Sequence, residues 1–82
     1  MPDRTSLRVA ELYARVLNIE HVTDGDDFFQ LGGTSLTAME LLDAINDDLG
    51  VRLPPRALYR ATVVSELAKE IDARVPAPAE GA

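Results

Sequence analysis

The amino-acid sequence predicts an all-α fold, a small four-helix bundle with three longer helices and one short one. Three segments repeat their apolar residues every three or four positions, which is the spacing of one helix face. No segment has the strict alternation of apolar and polar residues that is typical of a strand. The length of 82 residues leaves room for one domain with a compact core, and little interior for an enclosed active site.

The first helix is predicted over residues 5–18, and a long connection follows over residues 18–34. The helix depends on the apolar series Val9, Leu12, Tyr13, Val16 and Leu17. The connection is rich in Asp and Gly and longer than most connections in compact domains, which indicates a functional segment. Its apolar residues are expected to anchor it to the core: Ile19, Val22, Phe28, Phe29 and Leu31.

The second helix is predicted to begin near Ser35 and to end at Gly50, a residue that favours helix termination. Thr37 and Glu40 also match a capping box, which would start the helix two residues after Ser35. Both starts place Ser35 at the helix N-terminus, where free N–H groups and the helix dipole favour an anion. The expected apolar stripe consists of Leu36, Met39, Leu42, Ile45 and Leu49, widened by Ala38 and Leu41.

The last part of the chain contains a break, a short helix and a third long helix. Pro54 and Pro55 interrupt the chain, and residues 56–59 have the length of one short helical turn. The final helix is expected just after Thr62, acting as N-cap, with Val64, Leu67, Ala68 and Ile71 on its apolar face. We expect one domain over residues 1–75 and a flexible Pro/Ala-rich tail over residues 76–82.

Composition excludes several classes of function. Fourteen acidic and eight basic residues give a net charge of −6, which disfavours nucleic acid and anionic membranes and favours basic partner surfaces. The absence of cysteine removes disulfides, thiolate metal sites and cysteine nucleophiles. No apolar run approaches the length of about 18 residues that indicates a membrane span. The sequence therefore predicts a soluble, cytoplasmic monomer.

The residue pattern suggests a serine hydrolase site and a calcium loop, but the sequence lacks residues that each of them requires. A serine hydrolase needs a base, but the only histidine is His21 in the connection, and the residues around Ser35 lack the second glycine of a nucleophile elbow. The acidic run that starts at Asp24 places Phe28 at a ligand position of a calcium loop. We therefore expect no metal site, and we interpret these acids as turn-forming residues.

The region around Ser35 resembles the attachment motif of 4′-phosphopantetheine carrier proteins. The matching run is Asp27-Phe28-Phe29-Gln30-Leu31-Gly32-Gly33-Thr34-Ser35-Leu36. The resemblance extends over residues 7–71 and includes Leu49-Gly50-Val51-Arg52-Leu53-Pro54, Leu58-Tyr59 and Glu66-Leu67-Ala68. The chain departs from the family at Thr62, where proline is common, and at Val63, where a threonine usually caps the last helix. The resemblance implies an acyl-carrier-like helical bundle.

The resemblance also implies a role for each site residue. Ser35 would accept the 4′-phosphopantetheine arm from coenzyme A, in a reaction catalysed by a phosphopantetheinyl transferase with Mg²⁺. The arm's thiol would hold intermediates as thioesters for adenylation, condensation, ketosynthase, tailoring or thioesterase enzymes, and the domain itself would catalyse nothing. Partner enzymes would dock on Leu36, Met39, Glu40 and Asp43.

Alternatives remain open at this stage. The run Gly32-Gly33-Thr34-Ser35 resembles peptidyl carriers (thiolation domains of nonribosomal peptide synthesis), but polyketide acyl carriers with Leu-Gly-Gly also exist. A helical interaction module without an arm is the other alternative. Leu36 and Met39 fit either the core or an exposed docking surface, and Glu40 and Asp43 fit either docking or a solvated helix face.

Overall fold

The computed structural model describes residues 4–74 and contains four helices. They are α1 (Arg4–Leu17), α2 (Ser35–Leu49), α3 (Pro55–Arg60) and α4 (Val64–Arg74). Three longer helices and one short one confirm the predicted all-α fold. The described residues form no strand, only an isolated bridge between Asp27 and Val63. None of the described helices is long and apolar enough to cross a membrane. The predicted tail, residues 76–82, lies outside the described residues.

The first helix ends where the sequence predicted, within one residue. Asn18 adopts the left-handed conformation, with φ of 58°, and this conformation stops the helix. Its N–H donates to the carbonyl of Arg15, and the N–H of Ile19 donates to that of Ala14. These bonds satisfy carbonyls of the last turn. Gly50 ends α2 in the same way, with φ of 69° and an N–H donated to Asn46.

The buried face of α2 differs from the predicted stripe. Ala38, Leu41, Leu42 and Ile45 are buried, whereas Leu36 and Met39 are 70% and 51% exposed. The apolar residues of this helix fit two overlapping stripes, and periodicity does not choose between them. Packing against α1 and α3 selects the stripe that starts at Ala38. Of the two alternatives left open for Leu36 and Met39, the structure therefore selects the exposed surface, and only their place in the expected buried stripe is wrong.

The core lies where α1 packs on α2 and α4, and α3 contacts both α2 and α4. Tyr13 is fully buried and meets the ring of Phe28 edge-on, with ring centres 5.0 Å apart. This contact brings the connection between α1 and α2 into the core. The largest fully buried side chains are Tyr13, Phe28, Leu12, Leu41, Ile45, Leu58, Leu67, Ile71, Val9 and Val64.

The last helix begins at Val64, and Thr62 does not cap it. The Thr62 hydroxyl instead donates to Oδ2 of Asp27 at 2.6 Å, so the predicted N-cap is wrong. The first N–H groups of α4 donate to loop carbonyls: Val64 to Asp26 at 3.0 Å, and Ser65 to Asp24 at 2.9 Å. The connection from α1 thus takes over the capping that a side chain usually supplies.

Candidate functional site

Ser35 is the first residue of α2, directly after a reciprocal cap. Thr34, the N-cap, has extended backbone angles, and its Oγ1 accepts the N–H of Thr37 at 3.2 Å. In return, Oγ1 of Thr37 accepts the N–H of Thr34 at 2.7 Å. Two threonines therefore form the capping box. The alternative start at Thr37, with Glu40 as its partner, is wrong, because Thr37 is the third residue of the helix.

The Ser35 side chain is exposed, and its hydroxyl has no hydrogen-bond partner among residues 4–74. The N–H groups of Ser35 and Leu36, in the free first turn of α2, likewise donate to no acceptor in this range. A phosphodiester on Ser35 would meet these donors and the positive end of the helix dipole. The site therefore fits a prosthetic group joined through a phosphate.

Two glycines and a buried phenylalanine position the loop before Ser35. The N–H of Gly33 donates to the carbonyl of Phe28 at 3.0 Å. A Cβ at Gly33 would lie 2.5 Å from the Phe28 ring, so only glycine fits beside that ring. Gly32 has φ of 108°, a conformation that L side chains rarely adopt. The glycine pair thus lets the chain turn tightly against the core and start α2 at the surface.

Asp27 fastens the same loop to Thr62, in the connection between α3 and α4. Its Oδ1 accepts the N–H groups of Phe29 and Gln30, at 2.9 and 3.2 Å, and its Oδ2 accepts the Thr62 hydroxyl. The hydrogen bond from Thr62, followed by those from the two backbone groups, lowers the pKa of the Asp27 carboxyl. Asp27 is therefore a turn-forming residue, as expected, and Asp26 acts similarly by accepting the N–H of Thr23.

Thr62 is the loop's second attachment point on the core. Its carbonyl accepts the Tyr13 hydroxyl at 2.8 Å and the Phe28 N–H at 2.9 Å. Burial, with the nearby charges of Asp27 and Glu66, raises the pKa of Tyr13 well above its usual value. Sequence reasoning missed this role of Thr62. Residue type carries no signal for it, because every residue has a main-chain carbonyl.

The four residues expected to contact partners lie together on the exposed side of α2. Leu36, Met39, Glu40 and Asp43 follow the i, i+3, i+4, i+7 spacing, and all are exposed. Tyr59 of α3 is 49% exposed and stacks on Phe29, with ring centres 5.6 Å apart and planes 9° apart. It is therefore a half-exposed aromatic beside the loop.

His21 lies elsewhere, beside a groove on α1. The groove is also lined by Leu7, Ala10 and Val22. Ser35 does not line this groove. Among the described residues, neither His21 nor any other base forms a hydrogen bond with the Ser35 hydroxyl. The fold and this site define a carrier-type helical domain, which presents a hydroxyl without activating it.

The sequence matches the family model for the phosphopantetheine attachment site over residues 7–71. A relative in Mycobacterium tuberculosis, isonitrile lipopeptide synthase, is 52% identical over 54 residues, 66% of this chain. Phosphinothricin tripeptide synthetase of Streptomyces viridochromogenes is 35% identical over 71 residues, 87% of this chain. The chain spans only 2% and 6% of these relatives' lengths.

Solved structures agree with the family match. A peptidyl carrier protein in complex with the phosphopantetheine transferase Sfp and coenzyme A has a TM-score of 0.83 and 29% identity, covering 88% of this chain and 94% of that one. A nonribosomal carrier domain has a TM-score of 0.76 and 30% identity, covering 84% and 90%. The chain belongs to the phosphopantetheine attachment site family, and its prosthetic group is covalently attached 4′-phosphopantetheine.

Proposed function

We propose that this domain is a peptidyl carrier of nonribosomal peptide synthesis, with Ser35 as its attachment residue. The observation that carries the proposal is the exposed Ser35 hydroxyl at the first position of α2, beside N–H groups that have no acceptor in the described chain. The matched relatives are a lipopeptide synthase and a tripeptide synthetase, which supports peptidyl rather than polyketide cargo. The bound thiol would hold aminoacyl or peptidyl groups as thioesters.

Attachment requires a transferase, because the described chain offers Ser35 no base. Oγ of Ser35 would form a bond to the phosphorus that carries the pantetheine group of coenzyme A. The bond from that phosphorus to 3′,5′-ADP would break, and the hydroxyl proton would leave to a group on the transferase. The similar carrier solved in complex with Sfp and coenzyme A supports this class of partner.

The other partners would be the catalytic domains that load, extend or release the cargo. The carrier would bring its thioester to each of them in turn and contribute no catalytic group. Tethering raises the effective concentration of the intermediate at each active site, so a monomeric domain suffices. Leu36 and Met39, exposed beside Ser35, would supply apolar contact, and Glu40 and Asp43 would attract basic surfaces.

The attachment residue is tested by mass spectrometry. Incubation with coenzyme A, Mg²⁺ and a broad-specificity transferase should add one phosphopantetheine to the wild-type chain. Ser35→Ala should abolish the gain and keep the helical circular dichroism. Ser65→Ala, which removes a hydroxyl near the start of α4, is the matched control and should be modified fully. A wild-type chain that stays unmodified while a control carrier is converted, or a modified Ser35→Ala variant, would contradict the proposal.

A further inference from the structure

The exposed face of α3 is basic, although the chain as a whole is acidic. Arg56, Tyr59 and Arg60 are exposed and share one side of the helix through the i, i+3, i+4 spacing. Arg52 lies in the non-helical segment that leads into α3, and it is exposed between buried Val51 and Leu53. We call Arg52, Arg56, Tyr59 and Arg60 the arginine face.

The three arginines form no ion pair within residues 4–74. The ion pairs of that range involve Arg8, Arg15 and Arg74, whose partners are Glu11, Asp48 and Glu70. The arginine face therefore keeps three positive charges on a chain whose net charge is −6. No other nine-residue stretch of the described chain holds as many unpaired cations, since the remaining two, Arg4 and Lys69, lie on α1 and α4.

Helix stability does not explain these charges. Arg56 lies in the first turn of α3, where the helix dipole disfavours a cation. Arg56 and Arg60 are four residues apart, a spacing at which like charges repel. Only Arg60, in the last turn, has a favourable position relative to the dipole. The stability of α3 therefore accounts for neither Arg56 nor its spacing from Arg60.

The aromatic member of the face is held in place. Tyr59 stacks on Phe29, and Phe29 meets the ring of buried Phe28 at 5.3 Å. This series of rings holds Tyr59 half exposed among the arginines. Tyrosine and arginine are both enriched in protein interfaces. Tyrosine buries a large area at a low cost in conformational entropy, and arginine offers five N–H donors in a planar group that matches a carboxylate.

We propose that the arginine face binds an acidic surface of a partner protein. An extended polyanion such as nucleic acid or an anionic membrane would also meet the acidic remainder of this domain, which repels it. A local acidic patch on a protein would contact the arginines alone, within a Debye length of about 10 Å. Because α3 contacts α2, the basic face and the acidic α2 face together would fix the partner's orientation.

The proposal is argued from the arginine face alone and would stand without the carrier assignment. The test uses a fluorescently labelled oligoglutamate peptide as the probe, with binding followed by anisotropy at increasing salt. Arg56→Gln with Arg60→Gln is the test variant. Arg4→Gln with Lys69→Gln removes two exposed, unpaired charges elsewhere and is the matched control.

We expect the test variant to bind about fivefold more weakly than wild type, the combined contribution of two exposed ion pairs, and with a shallower salt dependence. The control variant should bind like wild type. In the wild-type chain, amide chemical shifts induced by the peptide should concentrate in residues 52–60. Equal weakening in both variants, or shifts spread over all cationic residues, would overturn the proposal.

Two further measurements complete the design. Single-stranded DNA and phosphatidylglycerol vesicles should bind more weakly than oligoglutamate at equal charge concentration, and stronger binding of either would overturn the choice of a protein partner. The mass of each variant after transferase treatment tests the carrier function separately. If both variants gain one phosphopantetheine, Ser35 is unaffected by the substitutions. An unmodified wild-type chain would remove the carrier proposal and leave the binding result in place.

Discussion

Thr34 and Thr37 leave the Ser35 hydroxyl outside the hydrogen bonds that cap α2. Each threonine hydroxyl accepts the other's backbone N–H, so the first turn of α2 is capped without using Ser35. The Ser35 hydroxyl is left exposed and without an acceptor or donor in the described chain. Thr34 and Thr37 therefore stabilise the helix start while the Ser35 hydroxyl stays exposed.

Removing the Thr37 hydroxyl should weaken this cap. Thr37→Val keeps the shape of the side chain and should lower the free energy of unfolding by about 1 kcal/mol, whereas Thr37→Ser should keep most of it. Urea denaturation measures both. Thr23→Val, at an exposed loop threonine, is the control and should change stability by less than about 0.5 kcal/mol. Equal losses for Thr37→Val and Thr37→Ser would show that the hydroxyl does not cap α2.

Asp27 should make stability depend on acid pH. Its pKa in the folded chain is lowered, so its contribution is complete above the unfolded value of about 3.9 and is lost as pH falls through the folded pKa. Asp27→Asn should lower stability near neutral pH and flatten the decline in acid. The urea midpoint between about pH 6 and pH 3 measures this effect.

Asp43→Asn, at an exposed carboxylate of α2, is the control for Asp27→Asn and should keep the wild-type pH profile. Parallel profiles for wild type and Asp27→Asn would mean that the bonds to Thr62, Phe29 and Gln30 do not favour the charged carboxylate.

At the scale of elements, hydrogen bonds and packing attach the connection between α1 and α2 to the core. Its carbonyls cap α4, Asp27 binds Thr62, and Phe28 is buried against Tyr13. One side of α2 then packs on the core, and the other presents Leu36, Met39, Glu40 and Asp43. The attached loop and α2 thus place one exposed surface around Ser35.

Docking through that surface should depend on salt. Glu40→Lys with Asp43→Lys should slow modification by the transferase, and the wild-type rate should fall with salt more steeply than that of the variant. Leu36→Ala should weaken the complex and keep the wild-type salt dependence, because it removes an apolar contact. Rates against ionic strength measure all three proteins.

The matched control for docking is Glu20→Lys with Asp24→Lys, the same charge change at exposed loop residues. This control should lower the rate of modification, and the dependence of that rate on salt, less than the Glu40→Lys, Asp43→Lys variant does. If wild type and the Glu40, Asp43 variant had the same salt slope, these two acids would be no more than a solvated helix face.

For the whole molecule, two leucines show how the fold divides its apolar residues between a buried core and an exposed surface. Leu67 of α4 is fully buried between helices, whereas Leu36 of α2 is 70% exposed. Leu67→Ala should cost about 2–5 kcal/mol, because the truncation leaves a cavity in a small core. Leu36→Ala should cost less than about 0.5 kcal/mol.

Urea denaturation of these two variants tests the packing, with each serving as the other's control. A loss of this size at Leu67 is a large part of the stability of a domain this small. Similar midpoints for Leu67→Ala and Leu36→Ala would contradict the observed division between buried core and exposed surface.

The sequence by itself determined the local features of this protein. Helical periodicity gave α1 to within one residue, Gly50 marked the end of α2, and the glycine pair with its aromatic neighbours marked Ser35 as the presented residue. These features depend on interactions between residues close in the chain, which is why they can be read from spacing and residue type.

Only the tertiary structure decided which residues meet across the fold. Two apolar stripes on α2 were equally compatible with a helix, and packing on α1 and α3 buried Ala38 and exposed Leu36. Thr62 is of a residue type that favours the N-cap position, but its hydroxyl donates to Asp27 at 2.6 Å. Loop carbonyls already cap α4. The competing partners are 35 or more residues apart in sequence, and no local pattern encodes such a pairing.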